Sequence, residues 1–309
     1  MSGFMRFFAF ALAAGLAAAA QPEVEVATIV AFTEGPTADR SGNVYFTETT
    51  FNRIMKLARD GTLTVLRENS NAANGLLLDS QQRLIVCEGG DKKKSGRGRV
   101  TRIDLKTGRL EILADSFEGK PLNQPNDVTM DSRGRIYFTD FPGPNPVAVY
   151  RIDTDGKLSR ILAAPQIEKP NGLMISPDDR TFYLVEANGA QGGARMIRAY
   201  DLKADGTVAN MRVFHDFSPG RSADGLCIDT AGNLYAAAGL HRRRGTSETL
   251  DTKCGIHVFS PQGKLLQFIP IPEDTLTNCA FGGPDMKTLY VTAGKTLFRF
   301  RNAIAGTSR

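Results

Sequence analysis

The chain has 309 residues, 41% hydrophobic and 23% charged, which excludes a disordered or fibrous protein and suits one large globular core. Its formal charge of +5 is mild, and its basic residues are scattered apart from Lys92-Lys93-Lys94 and Arg242-Arg243-Arg244, so there is no nucleic-acid footprint. The absence of Trp argues against a WD-type propeller, while 31 glycines suit a fold with many tight turns.

Residues 1–20 read as a secretory leader. Arg6 gives a short basic start, Phe7 to Ala20 is apolar, and Ala18-Ala19-Ala20 precedes Gln21 as small residues precede a cleavage site. The apolar run is shorter than the roughly 20 residues that a spanning helix needs. The expectation is a signal peptide over 1–20, export to the periplasm or medium, and no stable membrane insertion after cleavage; a retained anchor is the alternative. Loss of Arg6 takes the formal charge from +5 to +4.

After the leader, Glu23 to Phe32 looks strand-like but belongs to no repeat. Six units of one phase follow, at intervals of 40 to 54 residues (34 to 74 and 224 to 278). Each opens on a carboxylate or amide, places Asp, Ser or Gly five residues on, and then runs into a short apolar strand. Glu34 is followed by Asp39 and the strand from Asn43; Asn74 by Asp79 and the strand from Arg83; Asn126 by Asp131 and the strand from Arg135. Asn171 leads to Ser176 and Thr181, Asp224 to Asp229 and Asn233, and Asn278 to Gly283 and Thr288. A repeat of this length marks a unit that cannot bury its apolar face alone, hence a propeller or solenoid.

Further along each unit, two apolar runs flank a turn pair: Asp60-Gly61, Thr107-Gly108, Asp155-Gly156, Asp205-Gly206 and Gln262-Gly263. Such pairs signal hairpins, so each unit is a four-stranded antiparallel blade. The sixth unit ends after a third strand, Thr296 to Phe300, and the orphan segment Glu23 to Phe32 supplies its fourth, removing an exposed edge. The fold expected is all-β, a six-bladed β-propeller closed by an N-terminal strand, in one domain over 24–309. The four cysteines, Cys87, Cys227, Cys254 and Cys279, are too far apart for a zinc pattern and read as buried free thiols, although export permits a disulfide.

The first strand of each blade lines a propeller's channel, so Glu34, Asn74, Asn126, Asn171, Asp224 and Asn278 should ring one mouth. Two carboxylates and four amides make an all-oxygen site for one hard divalent cation, Ca²⁺ before Mg²⁺ or Mn²⁺. Zn²⁺ comes last, because it ordinarily brings Cys or His and no histidine is in phase. Turn capping alone would explain Asn74-Gly75 but not Glu34, since Glu is a weak turn former.

The stretches Glu34-Gly35-Pro36, Asn123-Gln124-Pro125-Asn126-Asp127-Val128, Lys169-Pro170-Asn171-Gly172-Leu173 and Ala223-Asp224-Gly225-Leu226 resemble the senescence-marker-protein/gluconolactonase/luciferin-regenerating family. The tail Thr277 to Gly283 with Lys287 to Gly294 is most similar to bacterial gluconolactonases. The resemblance implies a calcium-dependent six-bladed propeller that hydrolyses sugar lactones. By motif it makes Glu34, Asn171 and Asp224 direct metal ligands, and Asn126 a substrate contact that in some relatives also binds the metal. Where some relatives carry a sugar-gripping Arg, this chain has Gln124, which alters the expected sugar preference.

The second strand of each blade should return to the mouth, bringing Glu48, Glu88, Asp140 and Glu186 and the loops that hold Lys92-Lys93-Lys94, Pro142-Gly143-Pro144 and His241 to Arg244. On this reading Asp224 is the general base with Glu34 as the second candidate, Asn126, Gln124 and His241 touch substrate, and His215 and His257 are structural. The partner is a small lactone, with no nucleic acid and no obligate protein partner. A phosphotriesterase or arylesterase, or a non-catalytic propeller that binds a ligand, are the competing readings.

Overall fold

The computed structural model describes residues 21–91 and 96–307; the leader and the Lys92-Lys93-Lys94 run lie outside the described residues. Among these residues every regular element is a strand. β1 (Glu25–Ile29) comes first. Blade one follows as β2 (Thr33–Ala38), β3 (Val44–Glu48), β4 (Arg53–Leu57) and β5 (Leu63–Arg67), and blade two as β6 (Ala73–Leu78), β7 (Arg83–Glu88), β8 (Arg99–Asp104) and β9 (Leu110–Ala114). A small hairpin, β10 (Ser116–Phe117) and β11 (Lys120–Pro121), precedes blade three: β12 (Pro125–Met130), β13 (Ile136–Asp140), β14 (Ala148–Ile152) and β15 (Leu158–Ala163). Blade four is β16 (Pro170–Ile175), β17 (Thr181–Ala187), β18 (Arg195–Leu202) and β19 (Val208–Asp216). Blade five is β20 (Ala223–Ile228), β21 (Leu234–Ala238), β22 (Gly255–Phe259) and β23 (Leu265–Pro270). Blade six has β24 (Leu276–Gly282), β25 (Thr288–Ala293) and β26 (Thr296–Arg301).

Each blade is an antiparallel sheet in chain order, and the sixth is completed by β1, giving the order β1-β26-β25-β24. Glu25 pairs with Arg299 and Ile29 with Thr296, so the N-terminal segment closes the ring as expected. The innermost strands β2, β6, β12, β16, β20 and β24 pack side by side around the channel. Second strands such as β3, β13 and β21 are buried at every residue, because both faces press on neighbouring blades; they read as continuous apolar runs rather than alternating ones. Outer strands such as β5 and β9 are largely exposed.

Six apolar clusters form the core, one in each gap between adjacent blades. Ile256, Phe281, Leu289 and Phe298 fill the gap between blades five and six, and Phe182, Leu184, Tyr137 and Val149 the gap between three and four. Burying one such side chain contributes about 1.5–3 kcal/mol, so the ring is held by interblade packing repeated six times. All four cysteines are buried free thiols.

The phase of the repeat has a local cause. Five residues after the ring position, Asp39, Asp79, Asp131, Ser176 and Asp229 accept backbone N–H groups of the turn that follows, as when Asp131 binds Arg133 and Arg135 N–H at 3.0 Å each. Eight residues after it, Gly42, Gln82, Gly134, Asp179, Gly232 and Met286 all adopt positive φ, which ends the turn. At the channel's other end the tail returns over blade five: Thr230 N–H donates to Ala305 O and Thr307 N–H to Ile228 O, at 2.8 and 3.1 Å.

Candidate active site at the channel mouth

The ring residues stand second in β2, β6, β12, β16 and β20, and third in β24. In blades two to five the ring residue and its successor lie inside a β-bulge: Pro125 pairs with Asp140 and Val128 with Phe138, leaving Asn126 and Asp127 opposite Thr139 alone. A bulge re-aims side chains, so two consecutive residues can face the channel. In blades one, two, four and five the successor is glycine. A Cβ on Gly75 would sit 2.6 Å from Asn126 O, and one on Gly225 2.0 Å from Asn278 Cγ, so the strands approach this closely only because those positions lack one. In blade three the successor is Asp127.

Asp127 lies on the channel axis. Its Oδ2 accepts from Asn278 Nδ2 at 3.1 Å, and the two residues belong to blades three and six, which are opposite each other in a ring of six. This hydrogen bond forms a floor beneath the mouth. Above it, a cavity of about 470 Å³ is lined by Phe32, Glu34, Asn74, Gln124, Asn126 and Phe141. Below it, a second cavity of about 550 Å³ opens toward the far end.

Asp224 is held from two sides. Arg221 Nη2 donates to its Oδ2 at 2.8 Å, and the Asn171 side chain also donates to it. The Arg221 guanidinium also donates to Leu276 O at 3.1 Å, tying blade five to blade six. Burial pushes the Glu34 carboxyl well above the usual carboxylate range, with the charges of Asp224 and Asp127 adding to it and Gly35 N–H and Arg221 opposing. Burial likewise raises Asp224, against the pull of Arg221 and Asn171. Asp127 is pushed up to about 7, mainly by burial. Three acids thus converge at the mouth and its floor with the Arg221 guanidinium in contact with one of them, an arrangement short of positive charge.

Glu34, Asn126, Asn171 and Asp224 therefore stand in one mouth, with Gln124 on its wall. The Gln124 side-chain N–H donates to Pro142 O at 3.1 Å, which leaves its carbonyl oxygen free to accept. His241 is on an exposed loop, its Nε2 2.8 Å from Ile271 O; only the tautomer protonated at Nε2 can make that bond. His215 packs on Phe217 and Phe259 and His257 on Phe268, as structural histidines do. Among the described residues no three His, Cys, Asp or Glu side chains gather into a metal cluster. What the mouth offers is carboxylate and amide oxygen, a donor set that fits a hard divalent cation and not a soft one.

Sequence reasoning passed over two residues. Arg221 precedes its blade's first strand and carries no repeat phase. Asp127 had a signal: it replaces the glycine that follows the ring residue in four other units. The buried acids at the ends of the second strands act as anchors. Asp140 accepts Asn123 and Gln124 N–H at 3.0 and 2.7 Å, Glu186 accepts Lys169 N–H at 2.8 Å, and Glu88 pairs with Arg67 and Arg99 at 2.6 Å each. Asp140 and Glu186 thereby fix the segments that lead into Asn126 and Asn171.

The family model described as the SMP-30/gluconolactonase/LRE-like region matches residues 32–295. A gluconolactonase of Zymomonas mobilis is 26% identical over 91% of this chain and 81% of its own. A regucalcin of Danio rerio is 30% identical over 63% of this chain and 62% of its own. A solved gluconolactonase of Xanthomonas campestris superposes with a TM-score of 0.76 at 29% identity, covering 91% of this chain and 89% of that one.

Proposed function

The chain belongs to the SMP-30/gluconolactonase/LRE-like family, and from that premise we propose that it hydrolyses a sugar lactone with the help of one divalent cation, calcium first. Glu34, Asn171 and Asp224 would hold the ion, with Asn126 beside them. The observation that carries this reading is the convergence of buried acids and amide oxygens on one mouth with a single guanidinium in contact. The leader over residues 1–20 extends the proposal to an exported enzyme.

When bound, the cation supplies Lewis-acid polarisation of the ester carbonyl and a lowered pKa for a water. The chain's own residues do the rest. Arg221 holds the Asp224 carboxylate in place at Oδ2, and that carboxylate takes the proton of the attacking water. The same carboxyl returns it to the ring oxygen as the acyl carbon–oxygen bond breaks, giving the open hydroxy acid. Glu34, facing the charge of Asp224, is the second candidate for the base. Asn126 and the free oxygen of Gln124 orient sugar hydroxyls. The Asp127–Asn278 floor keeps channel water from reaching the acyl group from below.

The test is titrimetric: acid release from gluconolactone, other aldonolactones, acyl-homoserine lactones and aryl phosphates, with calcium and after chelation. The expected result is turnover of an aldonolactone that is lost with chelator and restored by calcium. Inactivity across the panel with calcium present would overturn the enzyme reading, and turnover of aryl phosphates alone would replace the substrate class.

A further inference from the structure

Two of the four cysteines meet. Cys227 on β20 and Cys279 on β24 face each other across the gap between blades five and six, their Sγ atoms 3.1 Å apart. That is inside the ordinary contact distance of two sulfurs and outside the bond length of about 2.05 Å. Both side chains are buried, and both line the lower cavity of about 550 Å³. All the cysteines but Cys227 also approach a backbone carbonyl, Cys279 Sγ that of Tyr235 at 3.6 Å and Cys87 and Cys254 those of Asp127 and Glu273 at 3.6 and 3.7 Å, but the sulfur–sulfur contact belongs to Cys227 and Cys279.

We propose that Cys227 and Cys279 are a modification site that closes into a cystine, a covalent bond between the innermost strands of blades five and six. The position gives the bond a consequence for the mouth. Cys227 follows Asp224 by three residues, and Cys279 follows Asn278 by one. The strands so joined are also the two that Arg221 bridges through Asp224 and Leu276 O. The link would therefore fix the spacing between the proposed base and the residue that holds the channel floor. It would close a loop in which the cysteines are 52 positions apart, long enough for a sizeable restriction of the unfolded chain.

The bond forms by thiol–disulfide exchange with a small disulfide such as oxidised glutathione. The thiolate of one cysteine attacks that disulfide, forming a mixed disulfide and expelling one glutathione thiolate. The second cysteine's thiolate attacks the protein sulfur of the mixed disulfide and expels the other. Two protein thiols and one small disulfide thus become one cystine and two glutathione thiols. Burial holds the Cys227 thiol well above its usual range in the folded ring, so exchange belongs to the folding stage, before the two strands close on each other.

The experiment refolds the full chain from denaturant in a buffer of oxidised and reduced glutathione, and in parallel with excess reductant. Remaining thiols are alkylated under denaturing conditions and the peptides mapped by mass spectrometry. The expected outcome in the glutathione buffer is loss of two alkylatable thiols, with Cys87 and Cys254 alkylated and one linked peptide pair containing Cys227 and Cys279. Four alkylated thiols would overturn the proposal. So would a link that involves Cys87 or Cys254, or a glutathione adduct on Cys227 or Cys279 with no link between them. Cys227→Ser should leave Cys279 alkylated and abolish the linked pair; if that variant does not fold, the wild-type map alone decides.

Discussion

Under the proposed function Asp224 is both ligand and base. Asp224→Asn keeps an oxygen for the cation but removes the proton acceptor, and loss of a positioned base costs about 10²- to 10⁴-fold in rate. We expect that loss in kcat at saturating calcium; a variant that recovers full turnover when calcium is raised would show that Asp224 acts as a ligand only. Arg221 works in the opposite sense. Its guanidinium, 2.8 Å from Asp224, occupies attraction that a cation would otherwise have. Arg221→Met keeps the stem and removes the charge, so calcium should bind at least about tenfold tighter by calorimetry, since like charges at this range interact by more than 1.4 kcal/mol. Weaker binding would mean that Arg221 serves to orient Asp224. The ring of Glu34, Asn74, Asn126, Asn171, Asp224 and Asn278 was legible because its spacing repeats, while the choice of Glu34, Asn126, Asn171 and Asp224 within it rests on the family resemblance. Asp127 was not, because a period of two cannot place consecutive residues on one face; the bulge does that.

At the scale of elements, the repeat was legible because every blade uses the same turn. In five blades an acid or hydroxyl caps the turn five residues after the ring position, where blade six has Gly283, and in all six a left-handed residue ends it eight after. Half of those left-handed positions are Gly and half are not, so a glycine pattern alone shows three blades and not six. The anchors were only half visible: the sequence brought Glu48, Glu88, Asp140 and Glu186 to the mouth, but not the backbone N–H groups that Glu48, Asp140 and Glu186 hold or the arginines that Glu88 pairs with. Asp140 is the clearest case. Burial pushes it up to about 6, while Asn123 and Gln124 N–H oppose the rise. A carboxyl raised in the folded state contributes stability that is full below its unfolded value and is lost as pH rises through its folded one. From about pH 4 to about pH 7, wild type should therefore lose on the order of 3 kcal/mol relative to Asp140→Asn, which stays neutral. Urea unfolding of both proteins at the two pH values checks this; a difference that does not change with pH would remove Asp140 from the account.

Taken whole, the molecule is a ring with one seam. Six interblade cores are alike, but only blade six is built from both ends of the chain, through β1 and β26. Removing residues 21–32 should leave β26 as an open edge and drive association, because an unpaired strand is a template for another chain. Size-exclusion chromatography should show oligomers or precipitate; a monomer with unchanged thermal unfolding would mean that the seam is not needed.

The seam also sets an order of events. Of the described strands β1 is made first and β26 last, so five blades can form while the sixth waits for β26. Pairing strands this far apart in sequence is slow, because the long chain between them must be closed before the contact stabilises anything. The ring can therefore be completed only once β26 has been made, and until then β1 has no partner in blade six.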